Sequence, residues 1–124
     1  MGMQKKTPTA HIRALITRWV SDDFPGWVEC RFTDRFGKEW SIVDKLPVVS
    51  TDDLRRGSKY PQPALIACEV VATAMDHAGR DVIHVNTLVP FGIEATDGAT
   101  SFELYSEQLH MYLVPSVDPE AGQS

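Results

Sequence analysis

Cysteine is scarce: Cys30 and Cys68 are the only two among 124 residues. Two thiols cannot make a disulfide framework, and no C-x-x-C spacing offers a zinc or redox site. Each lies inside an apolar run, where a free thiol behaves as a small hydrophobe. Long apolar runs are missing too. None approaches the ~20 residues that a helix needs to span a bilayer, so no membrane partner is expected. The basic start, Lys5-Lys6, is followed by Thr7-Pro8-Thr9 rather than an apolar stretch, so secretion is not indicated. The expected location is the cytoplasm.

Positive charge is absent from one end. After Arg80 there is no Lys or Arg, while Asp81, Glu94, Asp97, Glu103, Glu107, Asp118 and Glu120 all follow. Residues 1–18 show the reverse, with Lys5, Lys6, Arg13 and Arg18 and no acid, and the formal net charge is -5. Nucleic-acid binders usually present a basic face that releases counterions, so nucleic acid is not an expected partner. A structural account of the asymmetry also exists. Bringing the basic first strand beside an acidic late one would add roughly 0.2–1 kcal/mol per opposite-charge pair.

The familiar catalytic signatures are missing as well. No G-x-G-x-x-G, G-x-x-x-x-G-K-[ST] or G-x-S-x-G occurs, which leaves no phosphate loop and no nucleophile elbow. His11, His77, His84 and His110 show neither H-x-x-x-H nor H-x-H spacing, and zinc needs three or four converging ligands. Asp22-Asp23 precedes a turn and Asp52-Asp53 falls in a candidate helical turn, positions where acids have structural work. Neither an enzymatic activity nor a cofactor or metal is expected.

Short strands and strong turn signals remain. Residues 10–20, 27–33, 38–44, 65–75, 81–88 and 102–105 read as strands, with a further one up to Val114. Phe24-Pro25-Gly26-Trp27 reads as a type II turn, with Pro and Gly at its centre. Asp34-Arg35-Phe36-Gly37 and Asp76-His77-Ala78-Gly79 repeat one D-x-x-G chemistry, in which Asp accepts from amides ahead of it and Gly takes the left-handed exit. Matching apolar faces pairs Phe32 with Trp40 and Cys30 with Ile42. In the second hairpin it pairs Val70 with Val85 and Ala72 with Ile83, leaving Glu69 opposite Asn86 and Val71 opposite His84. A helical turn is expected at 50–54, capped by Ser50 or Thr51. The segment 59–63 should be extended, because Pro61 and Pro63 bias their predecessors away from helix. The fold class is therefore all-β and mainly antiparallel: a six- or seven-stranded barrel or sandwich with one short helical turn, closed or nearly so. The domain spans 10–114, with flexible ends at 1–9 and 115–124.

Candidate functional residues fall into two groups. Asp44 is in phase with Trp40 and Ile42, so it is either the mouth of the barrel or a polar handle in a pocket. Together with Glu69 and His84 it makes a candidate small-ligand or metal site. Trp27, Tyr60 and Tyr105 are candidate recognition aromatics, and Glu94, Asp97, Glu103 and Glu107 supply acidic surface on the stretch without bases. Acidic surfaces speed capture of cationic partners, so the leading expectation is a non-enzymatic interaction domain for a cationic protein. A further candidate is pairing of residues 107–114 with a second copy of the chain.

The segments Asp22-Asp23-Phe24-Pro25-Gly26-Trp27-Val28-Glu29, Asp44-Lys45-Leu46-Pro47-Val48-Val49, Ile66-Ala67-Cys68-Glu69-Val70 and Pro90-Phe91-Gly92-Ile93-Glu94 resemble, in the same order, a group of small bacterial single-domain proteins of unknown function. The resemblance implies a bacterial, soluble, single-domain protein and transfers no catalytic residue. By analogy it suggests an immunity- or inhibitor-like role.

Overall fold

A computed structural model describes residues 9–111, all of them in or between the elements of one curled sheet. The strands are β1 (Thr9–Ser21), β2 (Trp27–Thr33), β3 (Glu39–Lys45), β4 (Gln62–Met75), β5 (Asp81–Asn86), β6 (Ser101–Tyr105) and β7 (Leu109–Met111). One short helix, α1 (Leu46–Val49), follows β3, and a 3₁₀ turn, Ser106–Gln108, joins β6 to β7. All pairings are antiparallel, in the order β3-β2-β1-β4-β5-β6, with β7 pairing the Ala10–Ile12 stretch of β1 that β2 does not reach. The sheet curls into a half-barrel. Its two ends meet through sparse backbone bonds, Arg35 N–H to Glu103 O at 3.0 Å and Thr96 N–H to Ser41 O at 2.8 Å. Closure is thus less complete than the sequence suggests. Of the ends expected to be flexible, 1–9 and 115–124, Thr9 belongs to β1 and residues 1–8 and 115–124 lie outside the described residues, as do 112–114 of the expected domain.

Period-2 patterning explains how β1 sits at the centre. Ala10, Ile12, Ala14 and Ile16 all point inward and are buried, while Arg13 and Leu15 between them are exposed. Ile12, Ile16, Ile42, Ile66 and Ile93 are all fully buried, each worth about 1.5–3 kcal/mol in apolar burial. Phe102 on β6 joins the two hairpins, its ring edge-on to Phe32 at 5.1 Å and to Trp40 at 5.0 Å.

The first hairpin has the register expected from its apolar faces, Phe32 opposite Trp40 and Cys30 opposite Ile42. In the second, Glu69 lies opposite Asn86 and Val70 opposite Val85 as expected, but Ala72 then faces His84 and Thr73 faces Ile83. A bulge between Val70 and Ala72 leaves Val71 without an opposite number and shifts the remainder by one residue. Both D-x-x-G turns are built alike. Asp34 Oδ1 accepts from the amides of Phe36 and Lys38, and Asp76 Oδ1 from those of Ala78 and Arg80. Gly37 and Gly79 take φ of 82° and 80°.

Two local expectations are corrected. The turn after β1 is framed one residue earlier: Gly26 N–H donates to Asp23 O at 2.6 Å, placing Phe24 and Pro25, joined by a cis peptide bond, at its centre. A type II frame at Phe24–Trp27 is therefore replaced by one with cis proline third. The helical turn lies at 46–49, not 50–54. Pro47 stands at its start, where its missing N–H costs nothing. Ser50 instead ends the helix, and its Oγ accepts from Asp52 N–H.

Candidate functional site

One open cleft of about 430 Å³ lies beside the end of the first hairpin. It is lined by Trp27, Val43, Asp44, Gly92, Glu94, Ala95 and Thr96. Antiparallel pairing supplies one wall, with Val28 opposite Asp44 and Trp27 opposite Lys45. The loop after β5 supplies the other, tied to β3 by the Thr96–Ser41 backbone bond. Asp44 thus sits at the mouth, half-buried, with Oδ1 accepting from the Lys45 amide at 2.7 Å. No Lys or Arg among the described residues forms an ion pair with Asp44 or Glu94. Lys45 Nζ lies 5.5 Å from the Trp27 ring centroid, so the indole face already accommodates a cation. Two carboxylates without an ion pair among the described residues, in one cleft with an indole whose nearby cation is Lys45, form an arrangement suited to a Lys or Arg side chain.

The other candidate residues are distributed differently. His84 faces Glu103 across β5–β6, and both line two clefts, one of them shared with Arg35 and neither with Asp44. Glu69 lies one strand over, opposite Thr9 and Asn86. Among the described residues no three His, Cys, Asp or Glu side chains form a group able to hold a metal ion. Glu103 holds Arg35 at 3.0 Å, and Glu107 holds Arg80 at 2.6 Å. Tyr105 accepts the Arg80 guanidinium on its ring face at 3.5 Å and donates its hydroxyl to Asp76. These residues are occupied in tying β6 to the two D-x-x-G turns. Asp97 is exposed and accepts from the Ala99 amide, and Tyr60 packs against the core with its hydroxyl on Arg55 O. Residues 109–111 pair with β1, and 112–114 lie outside the described residues.

Pattern reading missed two further features. Residues 88–91, Leu-Val-Pro-Phe, are all exposed, although Leu88 reads as the end of a strand. Their loop is pinned at its base: Thr87 Oγ donates to Ile93 O at 2.6 Å, and Ile93 N–H donates to Thr87 O at 3.0 Å. On the far side of the sheet, Glu29 is only 7% exposed and is a polar hub. Burial alone would raise its carboxyl, but hydrogen bonds from Ser41, Thr17 and Arg18, with the charge of Arg31, outweigh this and hold it at about 2. The alternating run in β2 hides such a hub, because Glu29 occupies an outward phase. Burial pushes both thiols, Cys30 and Cys68, up to about 12, with Asp44 and Glu29 adding to the effect at Cys30. Neither is a nucleophile at neutral pH.

No family model, no curated protein and no solved structure matches the chain.

Proposed function

We propose that this chain is a non-catalytic interaction domain that docks a protein partner carrying positive charge, in the manner of an immunity or inhibitor protein. The observation that carries the reading is the cleft lined by Trp27 together with Asp44 and Glu94, neither of them in an ion pair among the described residues. Asp44 is half-buried and Glu94 exposed; a half-buried carboxylate attracts a guanidinium or ammonium more strongly than an exposed one, and the acidic surface speeds encounter. Aromatic residues dominate interface hot spots, and an indole face adds cation–π attraction. The acids of β6 are less suited to this role, because Glu103 and Glu107 already neutralise Arg35 and Arg80. A cytoplasmic location belongs to the same proposal, supported by two free, buried thiols. A bacterial origin rests on the resemblance alone.

The test is capture with a photoreactive residue placed at position 96, comparing the wild-type pair with Asp44→Lys/Glu94→Lys and with a control, Asp53→Lys. Adducts that survive in the control and vanish in the double variant support the reading. Identical adducts from all three overturn it.

A further inference from the structure

The exposed loop at 88–91 has no internal reason to present apolar side chains. Leu88 is 49% exposed, Val89 47% and Phe91 58%, and Pro90 is exposed between them. Isolated apolar residues on a surface are ordinary, whereas larger exposed apolar patches mark contacts, and here four consecutive residues are all exposed and apolar. The row is also held in place rather than loose. Thr87 and Ile93, both fully buried, exchange a backbone and a side-chain hydrogen bond across the base of the loop. Gly92 N–H closes it onto Leu88 O at 2.8 Å, and Asn86 Oδ1 accepts from Leu88 N–H. Every polar group at the stem that these bonds reach is satisfied, so the apolar tip is displayed by a rigid base. Such pre-organisation lowers the ordering cost of binding.

The loop continues directly into the acidic cleft: Gly92 and Glu94 belong to the cleft wall, one and three residues beyond Phe91. From this continuity we infer that the loop and the cleft form one docking surface, whose occupant is a protein segment with a Lys or Arg flanked by apolar side chains. The cation enters between Asp44 and Glu94, and its apolar neighbours cover Leu88, Val89 and Phe91. This inference rests on the reading of the cleft given above and adds the apolar half of the partner. A bilayer surface is the less favoured occupant, because Asp44 and Glu94 repel the anionic lipids that usually assist such insertion.

Three fluorescent nonapeptides test it, with cores Leu-Arg-Phe, Ser-Arg-Ser and Leu-Ser-Phe in a shared Gly-Ser frame, titrated onto the intact protein. The expected order is Leu-Arg-Phe tightest. Phe91→Ser should weaken that peptide by about tenfold, as removal of a hot-spot aromatic does, while changing Ser-Arg-Ser by less than about twofold. Asp44→Lys/Glu94→Lys should weaken both Arg peptides. Equal binding of the two Arg peptides, unaffected by Phe91→Ser, overturns the joint surface and leaves the cation cleft standing. Failure of both Arg peptides to bind overturns the cleft reading and this inference together. Phe91-dependent binding to phosphatidylcholine vesicles, without preference among the peptides, overturns the inference in favour of a membrane. Circular dichroism of each variant confirms that the fold is retained.

Discussion

The Trp19 ring lies 2.5 Å from the point that a Cβ on Gly26 would occupy. The indole is held there because its Nε1–H donates to Asp22 at 2.8 Å, and Arg56 in turn donates to the same carboxylate at 3.0 Å. The corner after β1 is therefore built from a ring, an acid and a bare backbone. Gly26→Ala meets both the ring and a φ of 102°, so a loss of about 2–4 kcal/mol is expected from strain and overpacking together. Gly37→Ala, with φ 82° but nothing within 4 Å, should cost only about 1 kcal/mol. Urea unfolding of both variants measures the difference.

Glu29 gathers Thr17, Arg18, Arg31 and Ser41 on one carboxylate. Glu29→Gln places an amide where an acceptor is needed, and a loss of about 1–3 kcal/mol at pH 7 is expected. The group titrates at about 2 when folded, against 4.5 in its ordinary state. Its contribution is therefore present above pH 4.5 and lost as pH falls toward 2. The gap between wild type and Glu29→Gln should narrow over that window in denaturant titrations.

His11 lies beneath the residues of α1, beside Leu65, with His110 directly across the β1–β7 seam. Burial, and secondarily the charge of His110, lower its pKa below 6.5, and its Nδ1 has no hydrogen-bond partner among the described residues. A histidine kept neutral by the fold contributes stability above 6.5 that declines as pH falls below it. His11→Val should flatten the decline between pH 6.5 and 5 while leaving stability at pH 7.5 within about 1 kcal/mol of wild type. An unchanged slope would count against the seam as a source of acid sensitivity.

Thr87→Val removes the hydroxyl that satisfies Ile93 O inside the loop stem. A loss of about 1–3 kcal/mol is expected from the buried acceptor. Amide exchange at Gly92 and Ile93 should accelerate more than exchange in β1, because the pin is local.

Much of this architecture is legible in linear order. The first hairpin follows from Cys30, Phe32, Trp40 and Ile42 alternating about an Asp34–Gly37 turn, since period and turn chemistry agree. The bulge at Val71 is not legible, because one extra residue in an apolar run leaves its composition unchanged. The helix is misplaced because Ser50 and Asp52 imitate a helix start, whereas Pro47 marks the true one. Asp44 and Trp27 are readable singly as a strand end and a turn aromatic. Their meeting with Glu94 depends on the Thr96–Ser41 bond, a contact between segments more than fifty residues apart that no local pattern encodes.

β1 pairs β4 over Thr9–Ile16 and β2 over Leu15–Ser21, and also accepts β7 at Ala10–Ile12. The first described strand to leave the ribosome thus waits for the last. Its seam with Leu109–Met111 joins residues about a hundred apart, the kind of distant pairing that slows folding. Until Leu109–Met111 has been made, the Ala10–Ile12 stretch of β1 stays open on one side to any other extended peptide, which makes the nascent chain a stage exposed to wrong pairing.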